Sequence, residues 1–74
     1  RKGIWQPVEN GIEVFYRNNR TIGHIVPAGN GSHWLAYQGR VENVENAIAQ
    51  GEPVNNFYIG HYSYAEAKEK VSSS

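Results

Sequence analysis

Three kinds of side chain in this sequence can carry chemistry: imidazoles, carboxylates and guanidinium groups. The imidazoles are His24, His33 and His61. Three of them are enough for a zinc site, where ring nitrogens bind the ion at about 2.0–2.1 Å. They stand far apart in sequence, outside any local ligand spacing, and His24 falls between the aliphatic Ile22 and Val26. That placement points to separate packing or surface roles, or to a pH-sensitive contact, so no metal site and no cofactor are expected. The carboxylates are seven Glu; there is no Asp and no Cys. Catalysis needs a nucleophile beside a base, or a pair of positioned acids. Ser63 is accounted for by helix capping, and the Glu residues gather where helices and turns are expected. No catalytic residue and no small-molecule substrate are expected, and the chain is read as a non-enzyme.

The guanidinium groups point elsewhere. Arg17 and Arg20 flank Asn18-Asn19, and Arg40 follows an aromatic stretch containing Tyr37. Arginine binds phosphates and guanine edges, with Asn and aromatic side chains beside it. The candidate nucleic-acid contacts are therefore Arg17, Asn18, Asn19, Arg20, Tyr37 and Arg40. The competing explanation is that the Arg pair flanks a solvated turn. Seven basic residues balance seven acidic ones, whereas a nucleic-acid binder usually carries a basic excess. The balance hides an asymmetry. The first forty residues carry five basic residues against two Glu, net +3, and the remainder is net −3. A binding sheet with acidic helices elsewhere fits that division.

Those residues need elements to position them. Seventy-four residues make one small domain, which buries only about 60–65% of its unfolded surface. With no Cys, no disulfide or thiolate site can staple it, and a reducing, cytoplasmic setting suits it. No apolar run approaches the roughly 18 residues of a membrane span, and no secretory signal is visible. The chain begins at Arg1, not Met, as a processed chain or an excised domain would.

Residues 1–10 read as an irregular arm, because Pro7 removes a ladder donor; Trp5 within it is expected to cover an edge of the core. Gly11 to Arg17 alternates apolar and polar residues, with β-branched and aromatic side chains, and predicts a strand. Asn18-Asn19 is a two-residue turn, since Asn tolerates positive φ. Arg20 to Val26 returns as the second strand, where Gly23 marks a bulge or lets a neighbouring aromatic lie against the backbone. Residues 27–32 form a Gly-rich loop. It lacks the Lys-Ser/Thr of a nucleotide-binding loop and reads as a hairpin tip. His33 to Gln38 is the third strand. Val41, Val44, Ala47 and Ile48 recur at helical spacing, Gly51 stands at a C′ position, and Pro53 stops the chain, which predicts a helix over 43–50. Phe57 to Tyr62 is a fourth strand. Ser63-Tyr-Ala-Glu66 is a capping box that opens a helix to about Val71, and residues 72–74 are a disordered tail.

A strand carrying Trp34-x-Ala36, followed by Gly60-x-Tyr62-Ser63-x-x-Glu66-Ala67 opening a helix, resembles a known pattern. It is similar to the three-stranded-sheet-plus-helix DNA-binding domains of plant ethylene-responsive factors and of the amino-terminal arms of phage integrases. Many small phage and prophage proteins share the same ending. The resemblance covers roughly residues 11–71 and implies a sheet that enters the DNA major groove with the helix behind it. The family's sheet is rich in Arg; here Arg17, Arg20 and Arg40 are what is available, and residues 39–56 form an acidic insertion.

The expected fold is therefore α+β. It has a small antiparallel sheet of three to four strands, a C-terminal helix on one face and a short helix before the last strand. The domain spans residues 11–71, with a core of Ile12, Val14, Ile22, Ile25, Trp34, Ala36, Ile59, Ala67 and Val71. The expected function is binding of duplex DNA through the sheet and hairpin, as in a phage-type regulatory or recombination-associated protein. The alternative is a protein partner, engaged by an edge strand or by the acidic helix around Glu42 to Gln50, as in a small phage-type inhibitor or adaptor. No membrane partner is expected.

Overall fold

The computed structural model describes residues 3–73. The chain folds as an α+β domain with a single antiparallel sheet of five strands in sequential order. The strands are β1 (Ile4–Pro7), β2 (Glu13–Arg17), β3 (Arg20–Ala28), β4 (His33–Gln38) and β5 (Tyr58–Tyr62); the helices are α1 (Val41–Ala49) and α2 (Tyr64–Ser72). The meander follows from short connections. Asn18 and Asn19 both take positive φ, 54° and 63°, as a two-residue primed turn requires. Gly29–Gly31 is a single 3-10 turn with Asn30 at φ 58°.

Five strands replace the three to four expected, because Ile4–Pro7 is a strand and not part of an irregular arm. Ile4–Pro7 pairs with β2, with Trp5 opposite Phe15 and Pro7 opposite Glu13. Pro7 is tolerated because it ends an edge strand, where a missing donor interrupts no ladder. Trp5 covers the core edge as predicted, its ring 5.0 Å from that of Phe15. The C-terminal end also differs. Ser72 belongs to α2 instead of a disordered tail. Arg1, Lys2 and Ser74 lie outside the described residues.

One face of the sheet packs against α2. Phe15, Ile25 and Ala36 meet Ala67 and Val71, with Trp5, Ile22, Trp34, Ile59 and Tyr62 around them. Of the predicted core, Ile12, Val14, Ile25, Ala36, Ala67 and Val71 are buried, while Ile22, Trp34 and Ile59 are half-buried packing partners. The register explains Ile22. Phe15 pairs with Gly23 and Tyr16 with Thr21, so Ile22 is the extra residue of a β-bulge and leaves the regular alternation. Phe15, Val44 and Ala47 join the buried set beyond that expectation.

α2 starts where its sequence says. Ser63 Oγ accepts from the Glu66 amide, and the Ser63 hydroxyl donates to Glu66 Oε1. Tyr64 donates to both oxygens of Glu13, each at 2.9 Å, and Lys68 lies 3.8 Å from the same carboxylate. This ties the first turns of α2 to β2. α1 begins two residues earlier than predicted, at Val41. It ends in a Schellman motif: Glu52 N–H donates to Ala47 C=O and Gly51 N–H to Ile48 C=O, with Gly51 at φ 71°. Val44 and Ala47 of α1 are buried and Ile48 is 64% exposed, while Val41, Glu42 and Glu45 line a cleft with Val14 and Tyr16, on the sheet face opposite α2. Among the described residues no helix is long and apolar enough to cross a membrane.

Candidate functional site

The six predicted contact residues separate into three places. Arg17, Asn18 and Arg20 line a groove of about 370 Å³ at the hairpin tip, together with Thr21, Ile22 and Gln38. Asn19 completes the exposed turn. Tyr37 stands on the sheet face opposite α2. Arg40 precedes α1 on that same side, at the mouth of a second cleft.

Arg17 belongs to the architecture. Its guanidinium donates to Ser72 C=O at 2.8 Å and lies 5.3 Å from the Phe15 ring centroid. It thereby satisfies a carbonyl of the last turn of α2 and places a cation at the negative end of the helix. Its Nε is buried without a hydrogen-bond partner. Arg17→Ala is therefore expected to lower stability by about 1.5–3 kcal/mol, the usual cost of losing a hydrogen bond to a charged group. Arg20 is exposed, and Arg20→Ala is expected to stay within about 0.5 kcal/mol. Urea midpoints of the two variants check the contrast.

Tyr37 is the middle ring of a ladder across three strands. It stacks on His24 with centroids 5.1 Å apart and planes at 16°, and tilts against Tyr58 at 5.5 Å. Burial, and the nearby Tyr58, raise its pKa above the ordinary value, so it stays a neutral phenol. His24 is 1% exposed and donates from Nδ1 to Gly39 C=O at 2.9 Å. It fixes the residue that turns β4 into α1.

Burial lowers the His24 pKa from 6.5; the Gly39 bond and the charges of Glu45 and Glu42 oppose that shift. The folded state thus prefers neutral His24, and the unfolded chain takes up a proton first. The contribution to stability is complete above about pH 6.5. It falls as pH drops below that value, and levels off once His24 also protonates in the folded state. His24→Gln is expected to lower stability at pH 7 but to flatten its decline between pH 7 and 5. Denaturant midpoints against pH measure this, and an unchanged slope would remove His24 from the account.

The second cleft, of about 370 Å³, was not legible as a site in the sequence. It lies between α1 and the sheet, floored by Ile12, Val14 and Tyr16, with Val8 at its edge; Glu9, Glu42, Glu45 and Arg40 carry its charge. Three carboxylates and one guanidinium line it. Glu9 and Val8 enter it because the chain between β1 and β2 turns tightly, with Val8 N–H bonded to Ile12 C=O and Asn10 at φ 62°. The acidic face of α1 was visible in sequence. Its pairing with Glu9 depended on β1, which was not.

Among the described residues, no group of three or more His, Cys, Asp or Glu is placed to hold a metal ion. No family model matches the chain, and no curated protein or solved structure matches it.

Proposed function

We propose that this domain is a non-enzymatic binding module whose partner is another protein, presenting a basic segment to the cleft between α1 and the sheet. The observation that carries this reading is the cleft's composition: Ile12, Val14 and Tyr16 beside three carboxylates, Glu9, Glu42 and Glu45, against the single guanidinium of Arg40. A Lys or Arg side chain matches both parts, since its methylene stem covers apolar surface while its head pairs with carboxylates. Tyr16 adds a ring face for the cation. The test is a calorimetric titration with short Lys/Arg-containing peptides and with their Glu-substituted counterparts. Only the basic peptides should bind. Glu42→Gln with Glu45→Gln should weaken binding about five- to thirty-fold, as two exposed ion pairs of about 0.5–1 kcal/mol each imply. Equal binding of basic and acidic peptides would sink the reading.

The hairpin groove favours one second reading, duplex DNA. Arg20 and the Asn18-Asn19 turn are exposed there, beside Gln38. Against it, Arg17 is engaged with α2, and Glu42 and Glu45 of α1 line the cleft on the face opposite α2. DNA binding should then fall steeply with salt and fail after Arg20→Ala. No gel retardation at about 50 mM salt would end it.

A further inference from the structure

His33 and His61 are not used by the binding cleft or by the core. Strand register puts both on the sheet face opposite α2: His61 pairs with Leu35, two residues along β4 from His33. Their ring centroids are 5.7 Å apart, with planes at 64°. His61 is exposed and His33 half-buried. Each ring already has a hydroxyl near Nδ1. Ser32 Oγ is 3.1 Å from His33 Nδ1, and Tyr58 Oη is 3.5 Å from His61 Nδ1.

We propose that His33 and His61 form a two-imidazole site for a divalent d-block cation such as Zn²⁺, Ni²⁺ or Cu²⁺, bound through both Nε2 atoms. Metal-ligating His usually donates its other ring N–H to an oxygen, which fixes the tautomer and the ring orientation. The Ser32 and Tyr58 hydroxyls stand where such acceptors belong. Two rings on one tetrahedral ion, each at about 2.1 Å through Nε2, have centroids roughly 5 Å apart. The observed separation is within a small rotamer adjustment of that value. Cation selectivity follows the donor set, since imidazole suits zinc, copper and nickel while magnesium and calcium prefer oxygen. No third His, Cys, Asp or Glu completes the group among the described residues, so the remaining positions go to water or to ligands from outside this chain.

The test uses the whole chain and Zn²⁺ alone, with Mg²⁺ as a control, followed through imidazole ring resonances by NMR. Zn²⁺ should shift the His33 and His61 rings together, saturating at one equivalent, and leave His24 unmoved. His33→Ala and His61→Ala, both at accessible positions, should each weaken binding at least fivefold. Amide spectra of the variants establish that they remain folded. Shifts at one ring alone, an equal response to Mg²⁺, or less than a fivefold loss in either variant would overturn the site.

Discussion

Gly23→Val is expected to cost about 3 kcal/mol or more and to leave a chain this small marginally folded. Intrinsic preference points the other way, because valine favours strands and glycine weakens them by up to about 1 kcal/mol. Space decides. A Cβ at Gly23 would sit 2.5 Å from the Tyr37 carbonyl oxygen and 2.7 Å from Val71 Cγ1. The first is backbone of β4, fixed by its ladder. The second is a fully buried side chain of α2. Neither yields without separating the helix from the sheet or β3 from β4. Gly23→Ala meets the same two atoms with its Cβ alone and is expected to lose about 1–3 kcal/mol. Urea unfolding of both variants measures this. An alanine variant as stable as the parent would mean that α2 does not press on the sheet at this point.

The second large effect is expected at Ile25. It is 0% exposed, at the centre of the cluster that includes Phe15, Ala36, Ala67 and Val71. Ile25→Ala removes three carbons where the neighbours are held by strand pairing on both sides. The expected loss is about 3–4 kcal/mol, transfer and cavity terms together. For a domain of this size that lowers the melting temperature by about 15 °C or more. Ile22→Ala is the comparison. Ile22 sits in the bulge and is half-buried, so its loss is expected near 1 kcal/mol. Thermal melts of the pair check the bulge directly, because a regular alternation would give Ile22 a different face and a different cost.

Much of this fold was legible because local chemistry and tertiary structure agree. Asn18-Asn19 makes the turn that its tolerance of positive φ allows, Gly51 ends α1, and Ser63 caps α2. What escaped depended on long-range pairing. Ile4-Trp-Gln-Pro7 is too short to display a period, and Pro7 argues against a strand. Only the match with β2 makes it one. Gly23 points to a bulge or a close approach, and only the register with β2 shows which residue is extra: its neighbour Ile22. The candidate site divided in the same way. Arg17 is a reasonable contact residue on a hairpin until α2 brings Ser72 C=O to its guanidinium. The acidic residues of α1 were visible as a docking face, but the apolar floor beneath them required both sheet and helix. The resemblance to three-stranded DNA-binding domains rests on sequence alone, over residues 11–71. Within that span α1 lies on the side of the sheet opposite α2, the side that the likeness would turn toward DNA.

That opposition defines the most direct measurement. Backbone amide shifts of one labelled sample would be followed with a basic peptide and, separately, with random duplex DNA at about 50 mM salt, where phosphate contacts are strong. Binding at the cleft requires that the peptide move Ile12, Val14, Tyr16, Val41, Glu42 and Glu45, while DNA leaves the spectrum unchanged. Shifts with DNA along Arg17 to Arg20 and the strands, with the cleft residues indifferent to the peptide, would contradict it.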